Sequence, residues 1–287
     1  MRAIFVHELK SYFHTLTAWL FAAFLLCFVG IGAMQYNIRE AVSNFEYVLS
    51  FGCIIFVVIV PILTMRVLAE ERRQRTDQLL YSLPISTTEV ILGKYGALLA
   101  LYLVPLAVIA VYPVFFAQFG EVYLPTSYGS IFAFFLLGAA LLAIGMFLSS
   151  LTENQGLAAG LGIAVILFNY YSVSLSEYVS ASALGSAVAF LVLSCAVGLV
   201  LKLLTGNGNL GYWSGLGLSA ASVACYILAP EAIEGLLPEI MSALSLFERF
   251  YAFINGIFDL KAVVFYLSVI GFFLFLSVQS LEKRRYN

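Results

Sequence analysis

The chain has 287 residues, of which 62% are apolar and only 10% charged, with 14 Lys and Arg against 16 Asp and Glu. A soluble domain carries roughly 25% charged residues, so this composition excludes a water-soluble fold. The net charge of −2 gives no basic footprint for nucleic acid.

A spanning helix needs about 20 predominantly apolar residues. The gaps between charges leave about eight such windows, at residues 11–38, 47–65, 95–120, 122–152, 154–176, 178–201, 203–230 and 262–281. Runs such as 51–60 are apolar on every side, unlike the alternating strands of a membrane barrel. The expected fold is all-α: one polytopic transmembrane domain over residues 1–287, multi-pass in the cell (plasma or inner) membrane. The first window leads into further spans rather than a cleavage site, so it is read as a retained span.

In chain order, Phe5, Leu9, Tyr12 and Phe13 would form the apolar face of an amphipathic helix over 1–14. His7 and His14 precede the first span without the further ligands a metal site needs. The second window closes at Met65 and opens the longest loop, a segment over 66–94. Within it, Glu71 lies four residues before Arg75 and Arg73 four before Asp77, pairs that support a helix. Leu79, Leu80 and Leu83 extend that helix as a short apolar stripe, and Pro84 ends it. Ser86 and Glu89 have the spacing of a capping box, with Ile85 and Val90 at the staple positions. The third span is therefore expected to begin at a rigid cap, so that a push on the helix over 70–83 would tilt it. A solvated loop whose arginines anchor the membrane edge would present the same residues.

Basic residues accumulate in cytoplasmic loops. With the first helix starting inside, Arg2, Lys10, Arg66, Arg72, Arg73, Arg75, Lys94, Lys202, Lys283, Arg284 and Arg285 are cytoplasmic, against Arg39, Arg249 and Lys261 outside. Both termini are then cytoplasmic and the span count is even. Cys27, Cys53, Cys195 and Cys225 all fall inside windows without close spacing, as small apolar packing residues do. Gly156 with Gly160, and Gly211 with Gly215 and Ser219, have the spacing of close helix contacts, and Asn169 is the most conspicuous polar side chain at membrane depth. Further on, Ile240, Leu244, Phe247, Tyr251, Ile254 and Phe258 recur at four- and three-residue steps. They predict an external amphipathic helix within 236–261, broken at Gly256, with Asp259 capping the last span.

The chain's Gly93-Lys94 pair is followed by Tyr95, and Thr88 stands where a phosphate loop would have its first glycine. ATP binding by that motif is excluded. No histidine lies at membrane depth to activate a serine, and no metal-ligand set can be assembled there. The windows contain no Asp, Glu, Lys or Arg, which disfavours a secondary transporter or channel. A polytopic scaffold without transport is the other alternative.

Arg72, Arg73, Arg75, Thr76, Leu79, Leu80, Leu83, Pro84 and Ile85, with Glu89 and the Gly93-Lys94 pair, resemble the coupling-helix signature of type-2 ABC exporter permeases. Residues 8–13 resemble that family's elbow helix, and 253–261 with 281–285 resemble the closing segment of its gliding-motility-type branch. The resemblance implies a permease subunit that is no enzyme by itself and carries no cofactor. Two separate cytoplasmic ABC ATPase subunits would bind the ATP, and a second permease copy or a related permease would complete the pathway. Arg72 to Ile85 would be the ATPase-coupling interface, and the Ser86 and Glu89 cap would transmit the motion. Family members generally have six spans, so two helices near 183–204 and 211–230 would be a pair inserted within 176–235. The external element would cap the pathway.

Overall fold

The structure, a computed structural model, describes residues 2–74, 86–178, 182–205, 208–228 and 234–286. Every regular element among them is helical. In lipid the backbone must bond within its own segment, and a helix does this without a partner strand.

The chain divides into two compact units, Met1–Tyr170 with Arg249–Asn287, and Tyr171–Glu248. The larger unit opens with α1 (Arg2–His14) and α2 (Leu16–Ala33), the latter continued by a π-helical turn over Met34–Arg39. The second long helix is segmented into α3 (Glu46–Gly52), a 3-10 turn over Cys53–Ile55, α4 (Phe56–Thr64) and α5 (Ala69–Gln74). There follow α6 (Thr87–Ile109), the short α7 (Tyr112–Phe116), α8 (Leu124–Leu151) and α9 (Gln155–Tyr178), which runs on into the smaller unit. The smaller unit holds α10 (Ala183–Thr205), α11 (Gly208–Leu228) and α12 (Leu236–Ala243). The chain then passes through α13 (Leu246–Ile254) to α14 (Leu260–Tyr286).

Six stretches among the described residues are long and apolar enough to cross a membrane: Leu16–Arg39, Glu46–Gln74, Thr87–Phe116, Leu124–Leu151, Gln155–Tyr178 and Leu260–Lys283. The two expected inserted helices are formed as α10 and α11, 23 and 21 residues long. The second stretch does not stop at Met65. It continues through a turn at 65–68 into α5, because Arg66 and Glu70 pair at 3.0 Å across one helical turn and the basic side chain is not left alone.

α8 is the axis of the larger unit, with 83% of its most apolar window buried. Small residues let its neighbours come close. A Cβ on Gly138 would stand 2.6 Å from the Tyr102 ring of α6, and one on Gly145 would collide with Thr64 of α4. The phenols of α6 also reach the backbone of α8: Tyr102 donates to the Phe134 carbonyl at 2.8 Å and Tyr95 to that of Ala139 at 3.0 Å. Exposed positions along the long helices are apolar, among them Trp19, Phe24, Ile31, Val108, Phe272 and Phe275.

In the smaller unit, α10 and α11 form a hairpin packed backbone to backbone. Gly198 faces Gly211 and Gly215 so closely that a Cβ on either Gly198 or Gly211 would strike backbone atoms. Ser194 and Ser219 share a 2.6 Å hydrogen bond across the same seam. Among the described residues the expected Gly156 and Gly160 pair meets no other helix: nothing stands within 4 Å of a Cβ at Gly160, and at Gly156 only the Asn154 side chain is near. In α9 it is Gly162 that packs, against Pro61. Cys53 is buried, whereas Cys27 and Cys195 face outward; the Cys225 side chain lies outside the described residues.

The stripe expected over 240–258 is also corrected. Two helices form instead of one, separated at Leu244 and Ser245, and Leu244, Tyr251 and Phe258 are exposed. The buried residues of α13 are Leu246, Phe247, Phe250 and Phe253, and its part in the larger unit is held on α8 by the Ser130 hydroxyl donating to the Phe253 carbonyl at 3.0 Å. Gly256 does break the helix, at φ +77°, and Asp259 Oδ1 accepts the Lys261 N–H at 2.9 Å as the cap of α14.

Candidate functional site

The larger unit has two polar ends. At one, α2 ends and α3 begins, and buried Glu46 accepts a hydrogen bond from the Ser127 hydroxyl at 2.8 Å. At the other end five elements meet: α1, α5, the start of α6, and the ends of α8 and α14. This second end flanks the segment 75–85, on which the residues expected to form the coupling interface, Arg75, Thr76, Leu79, Leu80, Leu83, Pro84 and Ile85, fall; these lie outside the described residues.

Its centre is Lys94, two turns into α6 and not in a loop as the charge pattern led one to expect. The side chain is 1% exposed, and its ammonium donates to Glu71 Oε1 at 2.6 Å and to Glu8 Oε1 at 2.7 Å. A buried cation needs such charge-assisted bonds, because its desolvation is otherwise uncompensated. Glu71, expected from its spacing to Arg75 to support a helix, bonds Lys94; Arg75 lies outside the described residues. α1 is thereby bound to α6, and the contact continues along the helix. The Phe5 ring sits 3.3 Å from where a side chain on Gly96 would begin, and Tyr12 is buried. Burial first, and then the carboxylates of Glu8, Glu71 and Glu70, hold the Tyr12 phenol well above its ordinary pKa, so it stays a neutral hydroxyl. An open cavity of about 440 Å³ lies beside the triad, lined by His7, Tyr12, Arg66 and Glu70 among others.

Two further ties surround it. Arg72 is buried, with Nη2 3.4 Å from the Ser280 hydroxyl of α14, which itself donates to the Ser150 carbonyl of α8 at 3.1 Å. Buried Thr87, the first residue of α6, donates to Glu282 Oε1 at 2.9 Å. The turn at 65–68 is held by Ser149 of α8. Its hydroxyl accepts the N–H groups of Leu68 and Ala69 at 3.2 and 3.1 Å and donates to the Met65 carbonyl at 3.1 Å.

Of the residues predicted from sequence, Arg72 is part of this buried base, whereas Arg73 is exposed. Ser86 is the N-cap of α6, its hydroxyl accepting the Glu89 N–H at 3.2 Å; Glu89 itself is exposed, and Val90 is buried. The mutual bonding of Glu8, Lys94, Thr87, Ser149, Ser280 and Glu282 escaped sequence reasoning, although Lys94, Glu8 and Glu282 stand in the motifs at 93–94, 8–13 and 281–285. The available signal was Lys94 itself, an ammonium at the edge of an apolar window with two glutamate-bearing helices before it in the chain. The base of the 75–85 segment is thus bonded to the first and last helices of the chain and to the central α8, an arrangement able to pass displacement of that segment to several helices together.

The family described as ABC-2 family transporter protein matches residues 33–230. No curated protein matches the chain.

Proposed function

The chain belongs to the ABC-2 transporter family, and from that premise we propose that it is the membrane-spanning permease subunit of an ABC exporter whose ATPase is a separate chain. Two cytoplasmic ATPase subunits dock on the segment 75–85 and exposed Arg73, and two permeases, identical or related, line the pathway. ATP closes the ATPases, the segment moves, and the Ser86 cap keeps the first turn of α6 intact so that the motion enters the membrane. The chain performs no bond-making chemistry; it couples and conducts. The gliding-motility-type branch is the closer kinship we propose, on the closing motifs at 253–261 and 281–285.

The observation that carries the coupling role is the bonded base around the 75–85 segment, where Glu71, Arg72, Thr87 and Lys94 tie it to α1, α8 and α14. The excess of Lys and Arg in the loops on that side supports its being cytoplasmic. In this reading α1 is the elbow helix, and α10 and α11 are a pair added to a six-span core.

Co-expression with the cognate ATPase tests the proposal. The two chains are expected to co-purify, and Leu80→Asp or Leu83→Asp is expected to abolish the dependence of ATPase rate on the permease while leaving the permease inserted, since a charge in an apolar contact costs several kcal/mol. Absence of co-purification with the unaltered chain would refute it.

A further inference from the structure

The hairpin of α10 and α11 bears an open groove of about 480 Å³ along its glycine seam. Cys195 and Gly198 line it from α10, and Gly215 and Leu216 from α11, while Lys202 and Gly208 stand at the end next to residues 206–207. Cys195 and Leu216 are exposed, so the groove opens on the surface of the chain. Its lining on α11 runs from Gly208 to Ser219, a rise of roughly 16 Å at 1.5 Å per residue. That is about half of a hydrocarbon core of ~30 Å, the depth of one leaflet. At the far end Ser194 and Ser219 bond each other at 2.6 Å and stand 2.8 Å from the carbonyls of Leu191 and Gly215, so both hydroxyl hydrogens are used within the hairpin. At the near end Lys202 is exposed and makes no ion pair among the described residues. It is the only basic residue of Tyr171–Glu248. One turn into α11 the exposed rings of Tyr212 and Trp213 lie 6.1 Å apart, and such aromatic side chains mark the boundary between membrane and water.

We propose that this groove is a binding site for one anionic phospholipid, which lays an acyl chain along Gly198 and Gly215 and sets its phosphate on Lys202. The groove has the depth of one leaflet, its far end has no hydroxyl hydrogen to give, and the one charged side chain lining it is an ammonium. A soluble anion would leave the apolar length unfilled, and a neutral lipid would leave the ammonium without a partner. On the orientation proposed above, Lys202 meets the cytoplasmic leaflet, whose surface is negatively charged.

Tryptophan fluorescence tests the site directly. The chain has two tryptophans, so Trp19→Phe leaves Trp213 as the reporter. The full chain with that change is reconstituted in vesicles of phosphatidylcholine and phosphatidylglycerol, with bromine on the acyl chains of one lipid or the other as the quencher. Phosphatidylglycerol is expected beside Trp213 at roughly five times its share of the bilayer, the ratio that corresponds to about 1 kcal/mol for one basic residue at an anionic surface. Lys202→Gln should bring the ratio to one, and Lys202→Arg should keep it. Cys195→Phe, which fills the groove and leaves the ammonium in place, should also remove the excess. An excess that survives Cys195→Phe would mean that anionic lipid gathers on Lys202 with no chain in the groove, and that result overturns the proposal. So does an equal share of the two lipids beside Trp213 in the chain with Lys202 and Cys195 intact. Should Lys202→Gln fail to insert, Cys195→Phe decides the question on the same readout. No step needs the ATPase, so failure here leaves the permease reading standing, and failure of that reading leaves this one.

Discussion

At the scale of single residues, the larger unit depends on polar side chains that each satisfy more than one partner. Lys94 is the extreme case, 1% exposed between carboxylates that are 16% and 25% exposed. Breaking a buried ion pair by removing one partner costs about 3–5 kcal/mol, because the remaining charge is left without compensation. Lys94→Met should therefore lower the midpoint of unfolding in a denaturing-detergent titration by an amount in that range. Adding Glu71→Gln should recover part of it by relieving two carboxylates that would otherwise face each other. A loss in the double variant equal to the sum of the separate losses would mean that the groups do not interact. Ser149 is a second such residue. Ser149→Ala strands the N–H groups of Leu68 and Ala69 in a buried turn, at about 1–3 kcal/mol for an unsatisfied buried donor. Hydrogen exchange at those two amides should rise in the variant with α8 otherwise unchanged.

Individual elements give a different class of expectation, because backbone approach and capping replace side-chain charge. The hairpin of α10 and α11 exists at its observed separation because Gly198, Gly211 and Gly215 have no Cβ. With Ser194 and Ser219 both changed to Cys, and Cys195 to Ala, oxidation should cross-link the two helices, since the hydroxyls stand 2.6 Å apart. Adding Gly211→Leu should abolish that cross-link, whereas Gly160→Leu should leave it intact, because a Cβ at Gly160 meets open space. Equal cross-linking in both variants would mean that the seam is not set by glycine. At the start of α6, Ser86 forms the cap and Glu89 is exposed. Ser86→Ala should cost about 1 kcal/mol, the usual value for a lost cap, and Glu89→Ala much less, both read as thermal stability of the isolated permease. In the complex, Ser86→Ala should lower the amount of substrate moved per ATP hydrolysed without reducing ATPase association, because a frayed first turn absorbs displacement.

For the molecule as a whole, the first and last helices of the larger unit share one end, where Glu8 meets Lys94 and Glu282 meets Thr87. The proposed orientation puts that end in the cytoplasm. A membrane-impermeant thiol reagent should then modify Lys283→Cys and Arg75→Cys only from the cytoplasmic face, and Glu121→Cys and Glu248→Cys only from outside. Labelling of Glu248→Cys from the cytoplasm would require an even number of crossings before it and would overturn the eight-span arrangement.

The sequence by itself determined the all-helical membrane class, because uncharged runs of span length leave the backbone no solution but a helix, and that constraint is local. It likewise determined the cap at Ser86, the break at Gly256 and the cap at Asp259, each of which depends on neighbours within a few residues. Only the tertiary structure decided the roles of the charges. Glu71 has a sequence neighbour in Arg75, which lies outside the described residues, and a spatial partner in Lys94, whose buried ammonium requires a carboxylate. The face of α13 was decided in the same way: the apolar period around Leu244 and Phe258 was legible, but the chain breaks at Ser245, and the side that is buried is the one that meets α8. Which glycines pack was equally illegible, since spacing marks a small stripe on one helix and cannot say whether another helix faces it. The base of the 75–85 segment is built from groups up to 208 residues apart, as Arg72 and Ser280 are, and no local pattern carries a separation of that length.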